Sequence, residues 1–348
     1  MNILDTTLRD GSYSVNFSFS TNDTAIICKK LEEAGFEYIE IGHGVGLSAS
    51  PTYGQALHTD EEYMEAANRV LSKAKYGMFC IPGISNLDDI DKAAKFNMGF
   101  IRIGTNVTEV EQGKSFIESA KNKGIFVAAN FMKSYGLKPK EFAKKVKQAE
   151  NYGADLVYVV DSSGGMLPQD IKNYYESIRE QSNVKLGFHG HNNLSLAVAN
   201  SLMAIEVGYD FIDTSLQGLG RSSGNAITEI LIAILLKMNI KTGIDFLKTL
   251  EIGNKYINPL ISRKGDHPLD IVSGLADFHS SYMGLIHKYS AKYSVNPLIL
   301  INEISNISKV DVDEAKLEEI AIRLEKEEEL FTSGYQFDKY IGDEQRKK

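Results

Sequence analysis

The sequence predicts an α/β fold, a (β/α)8 TIM barrel followed by a C-terminal helical appendage. Three observations carry that prediction. Short apolar runs alternate with longer amphipathic stretches eight times over roughly the first two-thirds of the 348 residues, glycines recur where helical patterns give way to apolar runs, and beyond residue 239 the alternation stops. Repeated strand–helix units specify a parallel sheet covered by helices. Eight of them close a barrel, and no GxGxxG follows the first strand as an open dinucleotide-binding sheet would require.

Taken in order, the apolar runs place strands at 2–6, 38–42, 75–80, 100–103, 126–129, 156–160, 185–189 and 211–213, with helices at 21–34, 60–72, 87–95, 138–151, 169–180, 194–206 and 225–237 between or after them. Gly35, Gly124, Gly153 and Gly208 stand where helices should end, as left-handed caps. The remaining chain reads as helices at 245–256, 271–288, 297–306 and 312–326. The expected division is a barrel over 1–239, an appendage over 240–326 and a charged tail or lid over 327–348, in which Phe331, Tyr335, Phe337 and Tyr340 interrupt dense charge.

Composition excludes several classes. Hydrophobic residues at 43% and charged residues at 24% fit an ordinary folded protein rather than a disordered or fibrous one. A net charge of -8 argues against nucleic acid or an anionic membrane as partner. The longest apolar stretch, 227–236, is too short to cross a bilayer. Only Cys28 and Cys80 occur, without CxxC spacing and without a secretory segment, so reduced thiols and a cytoplasmic location are expected.

In such a barrel, chemistry gathers at the C-terminal ends of the strands. His189-Gly190-His191 gives the sharpest signal there, because residues i and i+2 on a strand share a face and bring both imidazoles into the barrel mouth, while Leu186 and Phe188 face the helices. Such a pair either binds metal or forms hydrogen bonds alone. Asp10, after the first strand, offers the anionic oxygen that completes a two-His, one-carboxylate set for a divalent cation with open positions. Asp161 and Asp213 are expected to satisfy nearby loop amides. Gly11, Gly44, Gly164, Gly190 and Gly224 lie inside the strand-end motifs, where a missing side chain would let backbone approach metal or substrate.

These residues carry a family resemblance. Thr7-Leu8-Arg9-Asp10-Gly11, His43-Gly44-Val45-Gly46-Leu47 with Tyr53-Gly54, Asp161-Ser162-Ser163-Gly164, the run from Phe188 to Ser195 and the run from Gly218 to Asn225 together resemble the metal-dependent aldolase and lyase barrels. That HMG-CoA lyase-like superfamily includes the isopropylmalate, homocitrate and citramalate synthases and 4-hydroxy-2-oxovalerate aldolase, the branch this chain resembles most. The resemblance implies a class II carbon–carbon lyase. Asp10, His189 and His191 would hold Mn2+ or Mg2+, with Asn225 supporting or joining them, and a 2-oxo acid such as pyruvate would bind there beside an aldehyde. Arg9 would stabilise an enolate, its alternative being an ion pair with Glu40 or Asp5, and Ser162 would contact the substrate carboxylate.

The sequence also departs from that pattern. Tyr13 stands where the oxovalerate aldolases carry a general-base histidine, three residues after the metal aspartate, and a phenol is a weaker base at neutral pH. Val45 replaces an aspartate, and the stretch from Ser273 to Tyr282 leaves the match to a substrate tyrosine open. Tyr13, His43, His279 and Tyr282 are therefore the candidates for acid or base, with His43 also a support. Two alternatives remain: a synthase condensing an acyl-CoA, although Arg221 occupies the position of that branch's glutamate, and a barrel that binds metal and oxo acid without catalysis. By the same resemblance the appendage would join a partner dehydrogenase or a second copy of the chain.

Overall fold

The computed structural model describes residues 1–261, 267–326 and 337. Eight parallel strands close on themselves in sequence order: β1 (Asn2–Asp5), β2 (Tyr38–Glu40), β3 (Lys75–Cys80), β4 (Phe100–Asn106), β5 (Phe126–Met132), β6 (Leu156–Asp161), β7 (Lys185–Gly190) and β8 (Phe211–Thr214), the last paired back to β1. The predicted barrel is present, with strand ends displaced by no more than three residues. Around it run α1 (Thr21–Ala34), α2 (Asp60–Val70), α3 (Leu87–Lys95), α4 (Lys114–Asn122), α5 (Pro139–Tyr152), α6 (Pro168–Arg179), α7 (Ala197–Val207) and α8 (Thr228–Lys237). The first three open with capping boxes, Ser20 with Asp23, Thr59 with Glu62 and Asn86 with Asp89, each satisfying two otherwise orphaned amides. Helices α1, α5 and α7 stop at Gly35, Gly153 and Gly208, all at positive φ as predicted. Helix α4 has no counterpart among the helices read from periodicity, because its nine residues bury only Phe116, Ile117 and Ala120.

Burial follows the strand period. Val157 and Val159 of β6 and Leu186 and Phe188 of β7 point outward into an apolar layer shared with Ile171 and Ile178 of α6. Inside the barrel, Leu4, Phe100, Leu156, Tyr158 and Phe211 form an apolar plug from residues at or near the strand starts. Further along the strands the interior turns polar, with the charged Glu40, Arg102 and Asp213 and the amide of Asn130 all buried. The polarity of the interior thus selects one end for chemistry.

Past residue 239, α9 (Phe246–Ile252) packs on α1 and α8, and Ile252 and Ile257 join the barrel's core. The expected helix 245–256 is split here, with a π-helical turn over Gly253–Ile257. Helices α10 (Pro268–Ala276), α11 (Met283–Tyr293), α12 (Pro297–Ser305) and α13 (Glu314–Arg323) form a second apolar core around Leu269, Ile286, Leu300 and Leu317. The continuous helix expected at 271–288 is corrected to two. Asp277, at φ 54, caps α10 in the left-handed region, and the turn that follows carries His279.

The appendage sits over the C-terminal ends of the strands. Lys133, just after β5, donates through Nζ to Val310 O and Tyr282 Oη; Asn193, after β7, donates to Asp270 O; Ser222, after β8, bonds Asp270 Oδ1. Gly165 and Gly274 make that approach possible, since a Cβ on Gly165 would lie 2.1 Å from Gly274 O. Of the tail or lid expected at 327–348, all but Phe337 lies outside the described residues; Phe337 stacks on His287 at 4.5 Å in the appendage core.

Candidate active site

Asp10 opens a 3-10 turn immediately after β1, His189 belongs to β7, and His191 follows one residue beyond that strand. One ligand atom from each of the three lies within 4.8 Å of the others, and all three side chains are buried. A short antiparallel bridge between His191 and Asn225 brings the loop after β8 against them. Asn225 Nδ2 donates to Asp10 Oδ2 at 2.8 Å, and His189 Nδ1 donates to Asp213 Oδ2 at 2.9 Å, which leaves the His189 Nε2 lone pair for a ligand. His191 Nδ1 and Asn225 Oδ1 are buried and accept no hydrogen bond from any described residue. Buried acceptors beside a carboxylate and two imidazoles fit a divalent cation.

Electrostatics favours the same occupant. Burial opposes ionisation of Asp10, but Arg9, His191, His189 and the Asn225 amide outweigh it and hold its pKa well below the usual carboxylate range. Burial lowers the His191 pKa to about 4, so that imidazole stays neutral and its lone pair is available at neutral pH. A chain of buried ion pairs joins two members of the triad through the barrel interior. Asp10 Oδ1 meets Arg9 Nη1 at 2.6 Å, Arg9 Nε meets Glu40 Oε2 at 2.7 Å, Glu40 Oε2 also meets Arg102 Nη1 at 2.9 Å, and Arg102 Nη2 meets Asp213 Oδ2 at 2.7 Å, where His189 is bound. Three carboxylates against two guanidinium groups leave one negative charge, which a cation at the triad offsets. Arg9 meets Glu40, as one reading of the sequence allowed, and meets Asp10 rather than Asp5. Asp213 is corrected from a loop partner to the group that orients His189, whereas Asp161 does accept from the Gly165 and Met166 amides.

The other predicted residues lie on loops after the strands and on the appendage. Ser162 Oγ accepts from the Lys133 amide at 2.9 Å. Tyr13 is partly exposed, packs edge-on against Phe17 and carries the Arg221 guanidinium over its ring at 4.7 Å. His279 reaches the mouth from the appendage; its Nδ1 accepts from the Ser281 amide, so the neutral ring holds its proton on Nε2. Burial, with Arg221 and Lys133 nearby, holds the His279 pKa well below the ordinary histidine value. Tyr282, by contrast, turns its hydroxyl to Val310 and Asp311 within the appendage.

His43 has both ring nitrogens committed to its own loop: Nδ1 accepts from the Val45 amide at 3.1 Å and Nε2 donates to Gly54 O at 3.1 Å, while the ring stacks on Phe17. Protonating Nδ1 would set it against the Val45 N–H. Burial accordingly lowers the His43 pKa to about 4, against about 6.5 in the unfolded chain. The unfolded state therefore binds the extra proton first, and this contribution to stability, present above pH 6.5, is lost as pH falls through about 4. His43→Gln is expected to remove roughly 3 kcal/mol of the acid-side loss, read as a shallower fall in denaturation midpoint from pH 7 to 4. Parallel curves for the two proteins would contradict this.

The strand-end glycines serve protein packing rather than ligand approach. A Cβ on Gly44 would lie 2.6 Å from Tyr13 Cε2 and one on Gly190 would lie 2.8 Å from the Phe188 ring. Gly220 is the one that abuts the ligand set, since a Cβ there would lie 2.5 Å from Asn225 Nδ2 and 2.8 Å from Asp10 Oδ2. Sequence reasoning missed Arg102 and the active-site placement of Lys133 and Arg221. A lone arginine between Ile101 and Ile103, at an inward position of an apolar strand, was the signal for Arg102.

A family model described as HMGL-like matches residues 1–255. The chain belongs to the HMGL-like family. Within it, the chain is 35% identical to the 4-hydroxy-2-oxovalerate aldolase of Carboxydothermus hydrogenoformans over 93% of this chain and 97% of that protein. It is also 43% identical to the oxaloacetate decarboxylase of Mycobacterium tuberculosis, over 70% of this chain and 72% of that protein. Two solved structures share the fold. The HMG-CoA lyase of Brucella melitensis aligns with TM-score 0.66 at 20% identity, covering 74% of this chain and 98% of that one. The carboxyl transferase domain of Rhizobium etli pyruvate carboxylase aligns with TM-score 0.76 at 16% identity over 92% of this HMGL-like chain and 59% of its own.

Proposed function

We propose that this HMGL-like protein is a divalent-metal-dependent aldolase that breaks or forms the bond between C3 of a 4-hydroxy-2-oxo acid and its carbinol carbon, with pyruvate or a close 2-oxo acid as one product. The single observation that carries this reading is the buried Asp10, His189, His191 set with Arg9 bonded to its carboxylate at 2.6 Å. Mn2+ or Mg2+ held there supplies Lewis acidity toward the oxygens of a 2-oxo acid. We assign Ser162 to the substrate carboxylate and Arg9, 2.6 Å from Asp10, to holding positive charge where the enolate oxygen develops. In cleavage the 4-hydroxyl proton leaves to a base, the C3–C4 pair of electrons passes into the enolate, an aldehyde departs and C3 takes up a proton. We assign Tyr13 to relay those protons, its hydroxyl passing the 4-hydroxyl proton to solvent and a solvent proton to C3, and the His279 Nε2–H to a hydrogen bond on the carbinol oxygen.

The reading draws support from the aldolase relative that spans nearly the whole chain. Loss of carbon dioxide from oxaloacetate would generate the same enolate, and the 43% identity of the decarboxylase makes that a second activity to assay. We assign the appendage, whose helices expose Ile271, Leu275 and Ile322, to contact with a partner dehydrogenase or a second copy of the chain. The buried free thiols of Cys28 and Cys80 suit a cytoplasmic enzyme.

The test is pyruvate release from a 4-hydroxy-2-oxo acid after complete chelation and readdition of Mn2+ or Mg2+, with Arg9→Lys alongside. Activity is expected only with metal, and Arg9→Lys is expected to lower kcat about 100- to 1,000-fold with a smaller change in KM. Full activity without metal, or a lysine variant at the wild-type rate, would overturn the reading.

A further inference from the structure

The outward faces of the barrel helices are not alike. Helix α5 turns Lys140, Lys144 and Lys147 to solvent and α6 turns Gln169, Lys172 and Glu176 there, as a helix with one buried stripe does. Helices α7 and α8 break this pattern. The eleven residues of α7 include one charged side chain, Glu206. The ten of α8 include two, of which Glu229 is buried against Gln217 and Lys237 is exposed. Opposite the side buried on the barrel, α7 carries Leu202, Met203 and Glu206, and α8 carries Ile230, Ile234 and Lys237. Ile230 is 46% exposed, and Leu202, Met203 and Ile234 are half-buried. A helix apolar on all sides is stable where both sides are covered.

Two charges say what covers this face. Glu206 lies in the last turn of α7 and Lys237 closes α8; both are exposed, and neither forms an ion pair among the described residues. The two helices follow parallel strands of one barrel and touch, so they run the same way and set these opposite charges at the same end. Such a surface is complementary to itself. A two-fold axis lying along the helices, midway between them, brings α7 of one copy onto α8 of the other without reversing their ends. Each Glu206 then meets the Lys237 of the other copy, and Leu202 and Met203 oppose Ile230 and Ile234 between them. Antiparallel packing would set each charge against the far end of the same helix, where no opposite charge waits. Four such helices, each about 16 Å long, supply the apolar centre of an interface of about 800 Å² per copy.

We propose that two copies of this chain pair through the outward face of α7 and α8, about a two-fold axis running along those helices, with Leu202 and Ile230 near its centre and two Glu206–Lys237 ion pairs at one end. Both barrel mouths then open on the same side of the dimer, and the appendages stay clear for a different protein. The paired helices follow directly on the loops that carry His191 and Asn225, so the contact also braces one wall of the metal centre. The proposal goes beyond the lyase reading and needs no catalytic step.

The experiment is sedimentation equilibrium of the full chain over about 0.1 to 100 μM, with circular dichroism to confirm that each variant is folded. Wild type is expected at twice the chain mass. Ile230→Asp is expected to raise the dimer dissociation constant at least about 100-fold, because it sets two carboxylates in the apolar centre. Glu206→Lys and Lys237→Glu each place like charges face to face twice per dimer and are expected to weaken it about 10-fold. The double variant, with both charges reversed, is expected to recover wild-type pairing. These charged positions are exposed, so the reversal decides the matter even where Ile230→Asp fails to fold. Wild type that stays monomeric at the highest concentration overturns the proposal and leaves the face to a different protein. A dimer unchanged in Ile230→Asp overturns it by placing the pairing elsewhere, and a double variant as weak as either single one overturns the stated axis. Pyruvate release is scored separately: a dimer without lyase activity fails the aldolase reading and leaves this proposal standing.

Discussion

Asp10→Asn is expected to abolish Mn2+-dependent lyase activity, with a fall in kcat/KM of at least about 1,000-fold, while leaving the metal-free protein folded. The substitution keeps the shape of the side chain but removes the one anionic ligand of the triad and the charge that Arg9 meets at 2.6 Å. Asparagine keeps one acceptor oxygen, which serves either Arg9, bonded to Oδ1, or Asn225 and the Arg221 amide, bonded to Oδ2, but not both, so a modest loss of stability is expected beside the larger loss of metal affinity. Two measurements separate these effects. A metal ion that binds only the folded state raises its stability by mass action. Wild type is therefore expected to gain several degrees in melting temperature on Mn2+ addition and Asp10→Asn almost none. Equal Mn2+-induced shifts in the two proteins would remove Asp10 from the metal centre.

Arg102→Met should produce the largest loss of stability from a single change, about 3 to 5 kcal/mol, or a drop of roughly 4 to 7 °C in melting temperature for a protein of this size. Arg102 is fully buried, with its guanidinium 4.2 Å from the Tyr158 ring and bonded to Glu40, Asp213 and Asn130. Methionine fills much of the same volume but leaves two buried carboxylates without their shared cation. Burial lowers and the two carboxylates raise the Arg102 pKa, with a net rise, so the group is charged at every accessible pH. The consequence reaches the site, because Asp213 Oδ2 holds both Arg102 and His189. Weaker Mn2+ binding should accompany the lost stability. The control is Arg102→Met with Asp213→Asn, which removes one orphaned charge and is expected to recover part of the melting temperature. A single variant within about 1 kcal/mol of wild type would contradict this account of the ion-pair chain.

What the sequence disclosed and what it withheld divide along physical lines. The strands and the Asp10, His189, His191 set were legible because each signal is local: a period of two, a glycine cap, a polar residue at a strand end. The ion-pair chain was not, because Glu40, Arg102 and Asp213 lie far apart in sequence and acquire partners only when the strands curve into one barrel. Each was visible alone as a charge in an apolar strand. The break between α10 and α11 was missed because apolar spacing continues through Phe278 and Tyr282, and only the left-handed Asp277 marks the stop. Reading 271–288 as one helix obscured how His279 comes to lie at the mouth. Arg221 was noted only as a mismatch within a loop motif, since its placement depends on Tyr13 and Ser280, one from each end of the chain.

The central claim, that Asp10, His189 and His191 hold a divalent cation at which a 2-oxo acid loses a C3 proton, is tested most directly by proton exchange of pyruvate in D2O followed by NMR. Exchange needs no aldehyde and no knowledge of the second substrate. Protein reloaded with Mn2+ or Mg2+ is expected to exchange the methyl protons, and chelated protein and Asp10→Asn are expected to leave them intact. Exchange that persists after complete metal removal, or none with metal restored, would contradict the account.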